Sequence, residues 1–552
     1  MANIESRLFR IDELIRQVRE GVVRAPRFQR GFVWQRSQVL HLLDSIRHRY
    51  PIGTLFLWKT SGRYSSFDRI GPVRVPIDAP PSPSEVAYVL DGHQRVSCLV
   101  GVLGISEEEA ASLAGADRTF LVHYDLKSRR FDHVRFPEDH HFPVRYLLQS
   151  LDSGATDRLT AWLDERRDRA EPGSPERVTW DAWRREVFEL QRTFAQYQVR
   201  YDDVTRAELD EAVQIFARVN QQGTPARPAD VFAALSWRPD GFDFAHSARA
   251  LVARTPGFER LGTQPILRAL LACLGRSMYE RRWTEVLKAH GPELPEVFGR
   301  VAVAFERAVS FLRDAVGACH ASVVPYALQI AFLTWFFDQR ADPSPGERHR
   351  LIEWFWATSY GATYGGAGAL SLDEHMQRAT LLLRGEDQPV LPHRAVLQAL
   401  PHRFHPRSAR VRAWHLFLAT LHPRDPATGE LLSNPLGGGL VDARPVAPGD
   451  RGWMLGARVL MGRGVADPRE ALTGMASGPR EAQVLDSHGI DRDALDALRG
   501  GDLDTFIRRR FDLLQALESG HAGRFVELPS SPESADEPEI DSDIVDDFDA
   551  GP

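Results

Sequence analysis

The chain is poor in cysteine and lysine and has no long apolar run. Three cysteines, Cys98, Cys273 and Cys319, are scattered through 552 residues, with no Cys-x-x-Cys spacing. That argues against a disulfide scaffold and a cysteine-based zinc site, and it suits a reducing cytoplasm. Lysine occurs only at Lys59, Lys127 and Lys288, none of them in a Gly-x-x-x-x-Gly-Lys setting. A P-loop needs that lysine on the β- and γ-phosphates, so a P-loop NTPase is excluded. Any triphosphate bound here must be met by arginines and backbone amides. No apolar stretch approaches the roughly 18 residues of a membrane span. The N-terminus, Met-Ala-Asn-Ile-Glu-Ser-Arg, lacks the apolar core of a signal peptide.

What is present is ordinary for a globular chain, with 43% hydrophobic residues. The length is too great for one hydrophobic core. Charge is uneven: the net is −7, yet residues 533–552 carry nine acids and no base. Such a tail is too charged and too poor in apolar residues to build a core. It reads as a solubilising disordered end, or alternatively as a DNA-mimicking or docking segment. The first 100 residues hold 15 Arg/Lys against 9 Asp/Glu, a balance compatible with DNA contact.

The most informative run is Tyr-Val-Leu-Asp-Gly-His-Gln-Arg at 88–95. Tyr88 to Leu90 reads as a strand end, Asp91-Gly92 as a turn, and His93 to Leu103 as an apolar helix. Unpaired N–H groups and the helix dipole make such a helix start an anion site. Gly92 lets backbone approach closely, and Arg95 can grip phosphate in two places. Asp91 can orient Arg95, hold a metal-bound water or position a nucleophilic water. The competing reading is a plain strand–turn–helix corner with an Arg–Asp surface pair.

Other segments give this run a context: Pro-Arg-Phe-Gln-Arg-Gly-Phe-Val-Trp at 26–34, Tyr-Pro-Ile-Gly at 50–53, and Asn-Gln-Gln-Gly-Thr at 220–224. Together they resemble the N-terminal domain of the GmrSD-type restriction endonucleases, which is marked by "QRGYVW", "YPIG", "DGQQR" and "N-x-x-G-T" segments. The resemblance covers about 8–240 well and 350–385 weakly. It implies an α+β chain, with a ParB/sulfiredoxin-like N-terminal domain followed by a mostly helical C-terminal part. It also implies a cytoplasmic protein that binds or hydrolyses a nucleoside triphosphate (GTP, UTP, CTP or ATP), with Mg²⁺ as the accompanying ion, in defence against phage DNA. On that basis Asp91, Gln94 and Arg95 are expected to be catalytic. Gln29, Arg30, Gly92, His93, Asn220, Gly223 and Thr224 are expected to bind nucleotide. The resemblance gives no protein-bound metal ligands. The implied partners are DNA and a separate nuclease or other defence-system protein. His93 stands where the family usually has Gln, which leaves binding easier to retain than a particular catalytic rate. No cysteine occupies the turn, and Cys98 reads as a small buried hydrophobe, so sulfiredoxin chemistry is not expected. The alternative function is a non-enzymatic module that senses DNA or its modification and recruits a nuclease.

The expected layout is a nucleotide-binding domain at 1–240, a helical domain at 241–400, a C-terminal domain at 401–525 and the tail at 526–552. Within it, 8–20 reads as helix, 60–84 as an exposed loop or hairpin, and 155–222 as largely helical. A hairpin is expected to pair 120–124 with 130–134 across Leu-Lys-Ser-Arg. Asn220 to Thr224 is equally well a helix C-cap. Trp354, Phe355 and Trp356 read as core, while Tyr360 and Tyr364 sit where they can reach a ligand. Relatives with an HNH nuclease need a His base, an orienting Asn and metal ligands. The candidates here are His402, His405, His415, His422, Asn434 and His488. No His or Asn falls between Asn434 and His488, so the site reads as degenerate.

Overall fold

The computed structural model describes residues 3–27, 31–62, 64–77, 85–113, 115–148, 155–207, 211–212, 215, 228–236, 242–365, 368–462 and 464–529. The acidic tail from 530 onward therefore lies outside the described residues. The chain divides into two compact units, Met1–Phe244 with Arg282–Gly291, and Ala245–Arg281 with Pro292–Pro552. It is α+β, with a sheet in the N-terminal part and a mostly helical C-terminal part.

In the N-terminal unit the strands are β1 (Asn3–Arg10), β2 (Val23–Arg24), β3 (Leu55–Thr60), β4 (Arg69–Ile70), β5 (Val73–Arg74), β6 (Val86–Asp91), β7 (His123–Asp125), β8 (Arg130–Asp132), β9 (His141–Pro143) and β10 (Gln198–Thr205). The main sheet has the order β1-β10-β3-β6-β2. β6 runs antiparallel to β3 and parallel to β2, and β10 runs parallel to β3. Val86 to Leu90 are all buried, as expected of an inner strand covered on both faces. The helices around this sheet include α1 (Ile11–Arg19), α2 (Arg36–Arg47), α3 (His93–Leu103), α4 (Glu107–Ser112), α5 (Ala155–Asp168) and α6 (Pro175–Gln196). α1 buries Ile11, Leu14, Ile15 and Val18, and α2 buries Val39, Leu42, Leu43 and Ile46. Both show the i, i+3, i+4, i+7 stripe of a helix packed on a core. Each fully buried Val, Leu or Ile contributes about 1.5–3 kcal/mol.

Several sequence readings need correction. The helix expected over 8–20 begins only at Ile11, and Asn3–Arg10 is an edge strand with Ile4 and Leu8 exposed. The run 155–222 is interrupted by β10, a strand inside the main sheet. Its alternation was masked because Asp203 faces inward, where Lys59 Nζ lies 2.5 Å from its carboxylate. Within the 60–84 segment, read as an exposed loop or hairpin, β4 and β5 do form a small hairpin, but it is not wholly exposed: it buries Ile70 and Val73. The β7–β8 hairpin turns through Leu126 to Arg129 as read, but residues 115–120 are a 3-10 helix rather than strand.

The second unit is built from helices such as Leu294–Val316, Ala327–Gln339 and Pro345–Tyr360. Trp354, Phe355 and Trp356 are buried, and Trp354 stacks on Phe332 with ring centroids 4.1 Å apart. Tyr360 and Tyr364 are buried too, which corrects the expectation that they reach a ligand. Their hydroxyls pair with His521 Nδ1 at 2.9 Å and His375 Nδ1 at 2.7 Å. Arg410 and Glu518 form a buried two-point ion pair, both contacts at 2.7 Å. A short hairpin, Ala443–Pro445 against Arg458–Leu460, is followed by the helix Pro468–Thr473.

Candidate anion site at the start of helix α3

β6 ends at Asp91, and α3 starts two residues later, so the turn rests on one residue, Gly92. Its φ is +91°, a left-handed conformation that costs other residues roughly 1–2 kcal/mol. A Cβ there would also lie 2.3 Å from Leu55 Cδ2 and 3.2 Å from Arg95 Nη2. Gly92 supplies no side-chain cap, so the first turn of α3 presents its backbone N–H groups and the positive end of its dipole uncapped.

The side chains of that first turn reach out to three separate loops. Arg95 Nη1 donates to Ile52 O at 3.0 Å and to Thr54 O at 3.1 Å. Its Nη2 donates to Asp91 Oδ2 at 2.7 Å. Gly53, at φ +85°, gives the guanidinium room, since a Cβ there would lie 2.5 Å from Nη1. Gln94 uses both ends of its amide: Nε2 donates to Gly31 O at 2.9 Å, and Oε1 accepts from Val33 N at 2.8 Å. His93 is buried and stacks almost parallel on Phe67, centroids 5.7 Å apart. The Phe67 loop is in turn tied to the 25–27 segment, with Arg27 N donating to Ser65 O and Phe67 N to Ala25 O.

Asp91, Gly92, His93, Gln94 and Arg95 are thus brought together around one helix end. Gln29, Arg30, Asn220, Gly223 and Thr224 lie outside the described residues. The described neighbours of Gln29-Arg30 are anchored on both sides, Arg27 to the 65–66 backbone and Gly31 to Gln94. What sequence reasoning missed is that the 31–33 and 52–54 backbones are held by the motif itself. The one signal in the sequence was Gly53, where any side chain would collide with the Arg95 guanidinium. Cys98, deeper in α3, is fully buried and its thiol pKa is pushed up by burial, which suits a small hydrophobe.

Chemically, the site offers an uncapped helix end, a carboxylate and a guanidinium with part of its fork in use. Nη1 has both hydrogens on carbonyls and Nη2 has one on Asp91, which leaves Nε–H and one Nη2–H. Asp91 has committed Oδ2 and retains Oδ1. This suits an anionic ligand accompanied by a hydrated divalent cation, for which Mg²⁺ prefers one or two carboxylates plus phosphate oxygens.

The His and Asn candidates of the second unit are placed differently. His415 is fully buried, its Nδ1 donating to Val411 O at 2.7 Å, and burial lowers its pKa to about 4. His488 is buried with Nε2 on Arg424 O at 2.8 Å, and burial lowers it likewise to about 4. His402, His405, His422 and Asn434 are exposed. In the hairpin, Arg444 ties its guanidinium to the carbonyls of Val465 and Ala466. Among the described residues, the group of three His, Cys, Asp or Glu whose ligand atoms lie within 4.8 Å of one another is Asp125, His140 and His141, in the N-terminal unit. There His141 Nδ1 accepts the Glu138 N–H at 2.9 Å, which leaves the proton of a neutral ring on Nε2 and weakens it as a ligand.

Comparison with known proteins agrees with the geometry. Residues 11–237 match the family model of the GmrSD restriction endonuclease, N-terminal domain. No curated protein matches the chain. No helix among the described residues is long and apolar enough to cross a membrane.

Proposed function

We propose that this protein is a nucleoside-triphosphate-dependent DNA-defence protein that binds the nucleotide's phosphates at the start of α3, a reading supported by the match of residues 11–237 to the N-terminal domain of the GmrSD restriction endonucleases. The observation that carries this reading is the left-handed, side-chain-free cap at Gly92, with Arg95 and Asp91 beside it. Backbone N–H groups of the first turn face the phosphates, and the Nε–H and free Nη2–H of Arg95 add charged hydrogen bonds. Asp91 Oδ1 would be the protein ligand of a hydrated Mg²⁺ accompanying a triphosphate, an ion that would neutralise phosphate charge, and Asp91 itself is placed to order an attacking water. Gln94 and the Nη1 side of Arg95 hold the 31–33 and 52–54 loops as the walls of the site. Gln29, Arg30, Asn220, Gly223 and Thr224 lie outside the described residues and enter this reading only through the family resemblance. The mixed sheet with a helix springing from the end of an inner strand supports a ParB/sulfiredoxin-like fold.

Binding without turnover is a second reading, favoured by one observation. Both polar ends of Gln94 and both Nη1 hydrogens of Arg95 are bound to backbone, as in a scaffold rather than a reacting set. Phosphate release from GTP, UTP, CTP and ATP by the full chain, with and without DNA, separates the two. Release above background that Asp91→Asn abolishes supports hydrolysis. Saturable binding with no release supports a nucleotide-gated sensor. Cleavage of DNA is assigned to a separate nuclease, because no His or Asn falls between Asn434 and His488, His415 and His488 are buried, and the exposed His402, His405 and His422 belong to no metal-holding group among the described residues.

A further inference from the structure

A band of exposed cations runs along one side of the N-terminal unit and ends beside the α3 site. α2 packs on β8, and one hydrogen bond and one electrostatic influence set their direction. At one end Arg47 Nη1 donates to Arg129 O at 2.6 Å. At the other, His133 has its pKa lowered by burial and, in lesser part, by the charge of Arg36. α2 and β8 therefore run side by side in opposite senses. Arg36 lies near the loop after β8, and Arg47 lies near the β7–β8 turn. Lys127, Arg130 and Arg135 are exposed along this band, as is Arg49 just past α2. Arg36, Arg49, Arg130 and Arg135 have no carboxylate partner among the described residues. The acids nearby are engaged: Asp44 with Arg47 and His48, Asp132 with the His133 N–H, Glu138 with His140, and Asp139 with Arg166 and Arg169.

Phe136 follows Arg135 at the end of the band where Arg36 lies. It is 77% exposed, the highest value among the exposed large apolar side chains of the described residues. Arg135 lies over its ring at 5.4 Å, and Pro137 follows it and restricts the backbone. An apolar ring held outward among arginines is poorly placed for a protein core but well placed for a nucleic-acid duplex. Arginines neutralise backbone phosphates, and a Phe can enter between base steps and kink the helix. A solvated face would keep the cations without holding an aromatic out into water. Free nucleotide is a poor match for a band that extends along a whole helix.

We propose that the α2–β8 band is a duplex-DNA surface, with Arg36, Arg130 and Arg135 on phosphates and Phe136 as an apolar wedge between base steps. The inference rests on the DNA-defence reading. Through Arg49 and Tyr50 the band runs straight into the Ile52–Thr54 loop that Arg95 holds, so DNA on this face lies next to the nucleotide.

The test is duplex binding by the full chain, followed by fluorescence anisotropy across a salt series, with nucleotide present and absent. The triple variant Arg36→Gln, Arg130→Gln, Arg135→Gln is expected to weaken binding and to flatten log K against log salt by roughly 2.7, from about 0.9 per phosphate contact. Phe136→Ala is expected to weaken binding with the salt slope unchanged, and to abolish the fluorescence rise of a duplex carrying 2-aminopurine. All variants change exposed side chains, and their melting temperatures should match the parent. Wild-type affinity and slope in the triple variant would overturn the band while leaving the DNA reading intact. Tighter binding of single strands or RNA than of duplex would overturn the assignment of partner. A parent protein that binds no duplex under any of these conditions would overturn the DNA reading itself.

Discussion

Two regions of this chain place chemically capable side chains on short elements, and they use them in opposite ways. At the start of α3 the polar residues point outward from one turn and collect backbone from loops about 40 and 60 residues away in sequence. The helix end they surround stays uncapped. In the second unit His402, His405, His422 and Asn434 are exposed, while His415, His488, Arg410 and Glu518 point inward. His415, His488 and Arg444 satisfy nearby carbonyls, and Arg410 and Glu518 satisfy each other. The first arrangement organises loops around an opening, and the second fills a core. The difference shows that the local density of His, Arg and Asp says little about chemistry. What matters is whether hydrogen-bonding capacity is left over once the fold is made.

The comparison breaks most visibly at the buried ion pair. Glu518→Ala leaves Arg410 charged and alone in the core, and should cost about 3–5 kcal/mol of stability. Chemical denaturation would measure it, and nucleotide binding by the folded protein should not change. Arg95→Ala is next. It should weaken triphosphate binding by about 1.5–3 kcal/mol, the range for charged hydrogen bonds. It should also lower the melting temperature, because the 52–54 loop loses its anchor. Arg95→Lys should restore little of either, since an ammonium cannot reproduce the fork.

A smaller effect should follow from Gln94. Gln94→Glu removes the donor to Gly31 O and sets a carboxylate oxygen against that carbonyl, so it should be worse than Gln94→Ala. The latter should lose about 1 kcal/mol by thermal or denaturant melts. A further effect, confined to acid, is a slope with pH. His415 and His488 have pKa values lowered by burial to about 4, against about 6.5 in the unfolded chain. Between those values the unfolded state binds more protons, so stability rises with pH and is lost as pH falls from about 6.5 toward 4. His415→Leu should make that loss shallower in acid melts, and an unchanged slope would show that the ring is not buried neutral.

The strand, turn and helix over 86–103 were legible because a continuous apolar run, an Asp-Gly pair and a helical apolar stretch follow one another without interruption. The β7–β8 hairpin was legible from a short polar turn and the inward Phe131 between exposed Arg130 and Asp132. β10 was not, because its inward Asp203 looks solvent-facing until Lys59, 144 residues away, is seen to neutralise it. The cluster 91–95 was legible as a site, yet the work of its members was not. Sequence suggests that Gln94 and Arg95 face a ligand. Their long-range bonds to Gly31, Val33, Ile52 and Thr54 can only be seen once the loops are in place. Tyr360 and Tyr364 were misread because a Gly-rich turn resembles a ligand loop, whereas their partners His521 and His375 come from distant and neighbouring helices.

The central claim is that the uncapped start of α3 is a phosphate site. Titration calorimetry of the full chain with GTP, UTP, CTP, ATP and inorganic tripolyphosphate tests it most directly when the parent is compared with Gly92→Ala. The account predicts saturable binding of at least one triphosphate by the parent, and its loss in Gly92→Ala while circular dichroism stays that of the parent. Equal affinity in the two proteins, or no triphosphate binding by the parent, would contradict it.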